Sequence, residues 1–194
     1  MEENVFALLS KKIVAAVIAI GSMFYSTISG VIPQFEEVNL EAKGDRLVLS
    51  TRLVNCFSED LDRIFSSGQE IQIHFLVEVI GVNTDEAIHE MTFYHSVEYS
   101  LVEQIYEVFC SHHGERRDGL SLEEAKVMLA EVDEIAVAGS RDLSSGEEYS
   151  VLVTALMEEI DLPGMDERLN LMFYWSSQKP VATSDPFEGD IFRQ

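Results

Sequence analysis

Ile71-Gln-Ile-His-Phe-Leu-Val-Glu-Val-Ile80 and Ile88-His-Glu-Met-Thr-Phe-Tyr-His-Ser-Val-Glu-Tyr99 are the two runs that decide the fold. In the first, Ile71, Ile73, Phe75, Val77 and Val79 share one side, and Gln72, His74, Leu76 and Glu78 share the other. A period of two is the signature of a β-strand with one buried face. The second run alternates in the same way, with His89, Met91, Phe93, His95, Val97 and Tyr99 on a common side. Paired strands must keep their apolar faces together, because a slip of one residue would turn every apolar group outward. That condition predicts an antiparallel hairpin with Phe75 opposite Phe93, Val77 opposite Met91 and Ile73 opposite His95. The segment Gly81–Ala87, with its Gly, Asn and Asp, is left to connect the two strands. A third strand, Gln104–Cys110, follows.

Working outward, Val38–Ala42 and Arg46–Val54 alternate around a turn at Lys43-Gly-Asp45 and read as a second hairpin. Ser58 begins a short helix, Ser58–Phe65, with acidic residues in its first turn and Gly68 after its end. Ser111–Gly119 is a polar loop. Ser121-Leu-Glu-Glu124 is a capping-box pattern that opens a helix with Leu122, Ala125, Leu129 and Val132 as its apolar stripe. Arg141–Gly146 reads as a loop, Glu148–Glu158 as a strand, Leu162-Pro-Gly164 as a turn and Arg168–Ser176 as an aromatic-rich last strand. The Pro, Ser, Asp and Gly content of 179–194 predicts an irregular or mobile C-terminal tail. The expected architecture is mainly β: an antiparallel sandwich-like domain of about seven strands over residues 33–178, with two short packing helices.

Ahead of this domain, residues 1–32 contain a hydrophobic helix signal. Ile13–Ile32 is twenty residues without a charge, preceded by Lys11 and Lys12. It reads as a signal peptide, whose apolar part Ile13–Phe24 has the usual core length, or as an uncleaved membrane anchor; a buried core helix is a third reading, disfavoured because nothing polar repeats at helical spacing. The first two readings place the β domain across the cytoplasmic membrane, because the lysines favour a cytoplasmic start, a bias that Glu2 and Glu3 reduce. The 194-residue chain carries 35 acidic against 13 basic side chains, a formal charge of −22. Such a surface repels a phosphate backbone and argues against nucleic acid as a partner.

Five histidines raise the question of a metal. His89 and His95 share a face but lie six residues apart, roughly 20 Å along a strand, too far for one ion. His112 and His113 are adjacent and would point apart in an extended chain. The histidines are therefore expected to be structural or superficial, with His74 beside Tyr94 on the less buried face. Cys56 and Cys110 form either one disulfide, which export would permit, or two buried thiols. Adjacent carboxylates such as Glu36/Glu37, Glu123/Glu124 and Glu158/Glu159 would face opposite sides of a strand, a poor arrangement for joint acid–base work. Asn83-Thr-Asp-Glu86 lacks the order of an EF-hand loop. No catalytic, cofactor-binding or metal-binding residue is assigned. Candidate partner-binding residues are His74 and Tyr94 on the sheet face and Tyr174 and Trp175 in the last aromatic run, since aromatics dominate binding hot spots.

Four stretches follow one another in order: Leu49-Ser-Thr-Arg-Leu-Val-Asn-Cys-Phe-Ser-Glu-Asp-Leu61 with Ser67-Gly-Gln-Glu-Ile-Gln-Ile-His-Phe75; Phe93-Tyr-His-Ser-Val-Glu-Tyr-Ser-Leu101 with Tyr106; Ser121-Leu-Glu-Glu-Ala125; and Gly146-Glu-Glu-Tyr149 with Trp175-Ser-Ser177. Together they cover most of Leu47–Ser177. In their order and spacing the chain resembles a bacterial family of small exported proteins catalogued as domain of unknown function 4390. The strongly acidic balance and sparse arginines depart from the family pattern. The resemblance implies an envelope protein with a hydrophobic N-terminal segment and carries over no catalytic residue. A non-catalytic envelope module, held to the cytoplasmic membrane by residues 13–32 or released to the periplasm, and binding an envelope protein or ligand, is the expected function. A hydrolase assembled from distant loops and a calcium-dependent binding domain are the alternatives.

Overall fold

A computed structural model describes residues 30–84, 86–161 and 168–193. The hydrophobic segment Ile13–Ile32, except for its last three residues, lies outside the described residues, as does the expected turn Leu162–Gly164. No helix of the described residues is long and apolar enough to cross a membrane.

The centre is strand β4 (Ile71–Gly81), in which every odd-numbered residue is buried and every even-numbered residue is part-exposed. It pairs antiparallel with β5 (Glu86–Ser100), with Phe75 opposite Phe93, Val77 opposite Met91 and Ile73 opposite His95. The register expected from alternation is therefore the register formed. Phe75 and Phe93 stack with ring centroids 5.0 Å apart, a cross-strand pair that locks it. On its other side β4 pairs with β9 (Glu148–Met157), and β5 passes on to β6 (Ile105–Cys110) and β7 (Glu115–Leu120). The far side of β9 is closed by β12 (Val181–Thr183) and β13 (Phe187–Glu188), completing a seven-stranded sheet.

A four-stranded sheet packs against the inner face of the larger one. Its centre is β3 (Arg46–Val54), flanked on one side by β1 (Gln34–Phe35) and β2 (Asn39–Lys43) and on the other by β8 (Glu131–Gly139). Leu47, Leu49 and Leu53 of β3 join the odd residues of β4 and β9 in one core. This is a sandwich, as expected. Helix α1 (Glu59–Phe65) is capped by Ser58, whose hydroxyl accepts from the Leu61 amide, and it buries Leu61, Ile64 and Phe65. Helix α2 (Leu122–Ala130) opens with the expected capping box of Ser121 and Glu124. Lys126 ties the helices together through a 2.9 Å ion pair to Asp62.

Four expectations are corrected. Val132 does not continue the α2 stripe: the helix passes at Glu131 directly into β8, which pairs with β3. The polar segment after Cys110 is only partly a loop, because its second half is the edge strand β7, rich in charge. Arg168–Ser176 is not a strand. After the two-residue strand β11 (Leu169–Asn170), which pairs with β10 (Glu159–Ile160), Asn170 caps a 3-10 helix, Leu171–Trp175. That helix buries Leu171, Tyr174 and Trp175 and leaves Phe173 half exposed. The C-terminal segment is docked rather than irregular: Ser184 exchanges hydrogen bonds with Val151, its amide donating to the carbonyl and its hydroxyl accepting from the Val151 amide.

Trp175 is fully buried, and its indole N–H donates to the Cys56 carbonyl at 2.7 Å, joining the C-terminal region to the α1 entry across 119 residues. Trp175→Phe keeps most of the ring area but orphans that carbonyl. An orphaned buried acceptor and lost volume together are expected to lower stability by about 2–3 kcal/mol, read as a shift in the urea midpoint at constant slope.

Candidate functional site

Two features of the large sheet stand out: an unpaired stretch of β5, and a histidine cluster at the point where that stretch begins.

Strand β5 is fifteen residues long. Along its β4 side it is paired from Glu86 to Val97, but β6 covers its other side only from His95 to Ser100. At Tyr94 the coverage ends with the β6–β7 turn, where Ser111 donates its amide to the Tyr94 carbonyl and accepts the Tyr94 amide on its hydroxyl. Both main-chain groups of Tyr94 thus point away from β4. Peptide groups alternate along a strand, so those of Thr92 and Glu90 point the same way, and no strand among the described residues meets them. Between Val79 and Ile80 the ladder carries a bulge on the β5 side, which leaves Ile88 as the extra residue. Glu86–Glu90 and Thr92 are exposed, Ile88 among them at 44 %.

The outer face beside this edge contains two of the expected partner residues. His74 lies directly opposite Tyr94, with ring centroids 5.8 Å apart, and Tyr94 also meets Phe109 at 5.9 Å. Nε2 of His74 is 3.3 Å from a Glu158 carboxylate oxygen, but the pair is not aligned as a hydrogen bond. The other two are removed from any surface: Tyr174 and Trp175 are core residues, with 1 % and 0 % exposure. The aromatic residue that this 3-10 helix does expose is Phe173.

On the inner side, Phe93 packs against His112 with ring centroids at 4.9 Å, and His95 and His112 stack at the same distance. His95 Nδ1 is 3.0 Å from the carbonyl of Leu129 near the end of α2. A carbonyl only accepts, so this nitrogen carries the proton and the neutral ring has its lone pair on Nε2. His112 Nδ1, 3.1 Å away, donates to it. His113 Nε2 donates to the Asp133 carbonyl on β8 at 3.0 Å. The adjacent histidines thus do not point apart: in the turn their rings lie 4.2 Å from each other and pin it to α2 and β8. Alternation alone does not bring His112 to His95; that contact is set by the length of β6.

These rings border a cleft of about 600 Å³ between β7, α2 and β8, lined also by Cys110, Leu120, Val127 and Met128. Its chemistry at neutral pH is subdued. Burial pushes His112 down to about 4, reinforced by the neighbouring histidines, and burial with the charge of Glu115 pushes the Cys110 thiol up to about 11. A protonated thiol is a poor nucleophile, and an imidazole pushed down to about 4 is a weak base. Cys56 is pushed by burial up to about 12, and both cysteines are free thiols. Among the described residues no three His, Cys, Asp or Glu side chains are placed to hold a metal ion.

The histidine chain has a pH signature. Burial holds His95 at about 4, against an ordinary value of 6.5. Between those values the unfolded chain binds more protons than the folded one, so stability is complete above about pH 6.5 and is lost as pH falls toward 4. His95 alone accounts for on the order of 3 kcal/mol over that range. His95→Phe, flanked by Phe75 and Phe93, is expected to be less stable at pH 7.5, because it leaves the Leu129 carbonyl unanswered. Its urea midpoint should then change less between pH 7.5 and 5 than that of the wild type.

No curated protein and no solved structure matches the chain. A family model does, over residues 33–183, which runs from just before β1 through β12 and stops short of β13. The chain belongs to the family described as Domain of unknown function (DUF4390).

Proposed function

We propose that this protein is a non-catalytic binding module of the bacterial envelope that takes up an extended segment of a partner protein as an extra strand on β5. Ile13–Ile32 delivers the domain across the cytoplasmic membrane, and either stays as its anchor or is cleaved. The observation that carries the reading is the open edge from Glu86 to Phe93. Natural sheets blunt their edges with charge, proline, short strands or a covering segment, because an unpaired row of N–H and C=O groups recruits other strands. This chain does so at the ends of its large sheet. The C-terminal β12 and β13 cover β9, and β7 is charged along its length, with Arg116 paired to Glu107. The middle of β5 has no covering strand among the described residues, only Glu86, Glu90 and the bulge at Ile88, and it exposes Ile88 and Val82 beside it. An added strand would gain main-chain hydrogen bonds there, with side chains reading alternate positions.

A photoreactive residue in place of Ile88, in the full-length chain in cells, is expected to give one discrete adduct with another protein. The same residue at the exposed Val102, in the turn beyond β5, should give none. Thr92→Pro removes an N–H that meets no strand among the described residues, so it should abolish the adduct while leaving the ladder to β4 intact. An adduct indifferent to Thr92→Pro sinks the reading. Added protease should digest the domain in spheroplasts but not in intact cells; protection in spheroplasts would remove it from the envelope.

A further inference from the structure

The large sheet carries an uncompensated pair of like charges beside the open edge. Glu78 and Glu90 are direct cross-strand partners, and both project on the outer face. Cβ atoms at such positions lie about 5 Å apart, and like charges there destabilise the pair. Continuing across the sheet, the residue on β9 opposite Glu78 is Leu152, which brings no counter-charge. Among the described residues neither carboxylate forms an ion pair or a hydrogen bond, although Lys43, Arg52, Arg63, Arg116, Arg117, Lys126 and Arg168 are all paired with acids elsewhere. The row therefore runs Leu152, Glu78, Glu90 and then the vacant strand position. The neighbouring row on the inner face runs Val153, Val77, Met91 and the same vacancy.

We infer that the segment received on β5 carries a lysine or arginine opposite Glu90, with an apolar residue next to it in sequence opposite Met91. The inference rests on the edge reading above. One basic side chain at the vacant position reaches Glu90 directly and lies near Glu78, so a single charge answers two carboxylates. The apolar neighbour projects to the inner face and extends the Val153–Val77–Met91 row. A second copy of this chain would fit poorly. Its own β5 would set Glu86 and Glu90 against the acids of the first, between bodies that each carry a formal charge of −22.

The test uses the full-length chain in cells with the photoreactive residue again at Ile88. Glu90→Lys is expected to lower the adduct yield by roughly tenfold or more, since like-charge juxtaposition in an interface costs several kcal/mol. Glu78→Gln should lower it less. Glu90→Lys also turns a like-charged pair into an opposite one, so its melting temperature should equal or exceed that of the wild type. That measurement separates lost binding from lost fold. Mass spectrometry of the cross-linked peptide should find lysine or arginine adjacent to an apolar residue. An undiminished yield with Glu90→Lys, a cross-linked segment without a basic residue, or an adduct with a second copy overturns the charge assignment. Absence of any adduct from Ile88 in the wild type overturns the edge reading on which it stands.

Discussion

Burial of one face of β4 is the constraint from which the remaining structure follows. Ile71, Ile73, Phe75, Val77 and Val79 are each almost completely removed from water, and the strand is paired along both edges, so its position and rotation are fixed. Complete burial of each such side chain is worth about 1.5–3 kcal/mol, and a one-residue slip would forfeit all five at once. β9 and β5 must then present their own apolar faces to the same side. The small sheet covers that side through Leu47, Leu49 and Leu53. The helices close the remaining gaps: Leu61, Ile64 and Phe65 of α1, and Ala125 and Leu129 of α2.

Alternation made the central strands legible, down to the pairing of Phe75 with Phe93, because a half-buried strand writes its geometry into every second residue. Cap chemistry was equally plain at Ser58 and Ser121. What alternation missed is what bulges and edges obscure. β8 pairs with β3 through two register shifts, with Glu134 at a φ of 49°, so Val132, Ile135, Val137 and Ala138 fall out of phase. β7 is an edge strand with no fully buried residue, and its sequence resembles a loop for that reason. Leu171, Tyr174 and Trp175 recur at helical spacing, which a period-two reading splits between faces. Of the candidate partner residues, His74 and Tyr94 were placed together by register, whereas Tyr174 and Trp175 belong to the core. The open edge left no trace in β5 itself. It depends on where β6 stops, a matter of tertiary contacts made by the turn after Cys110.

That turn is where the histidines act. A chain of two neutral imidazoles between the Leu129 carbonyl and the Ser111–Gly114 turn fixes the end of β6 against α2, while His113 fastens the same turn to β8. These groups hold their protons in a specified arrangement and through it join β5, α2 and β8. Their position beside Phe93 means that the integrity of the turn and the extent of the vacant edge are one property.

The two rims of the large sheet are dissimilar, one sealed by the chain's own C-terminal strands and the other lined with ion-paired charge. Among the described residues, the stretch of β5 from Glu86 to Phe93 is the part of the large sheet with neither a covering strand nor an ion-paired rim. On the proposed function, a strand received there would leave both rims as they are, so neither rim would propagate edge-to-edge growth into a filament.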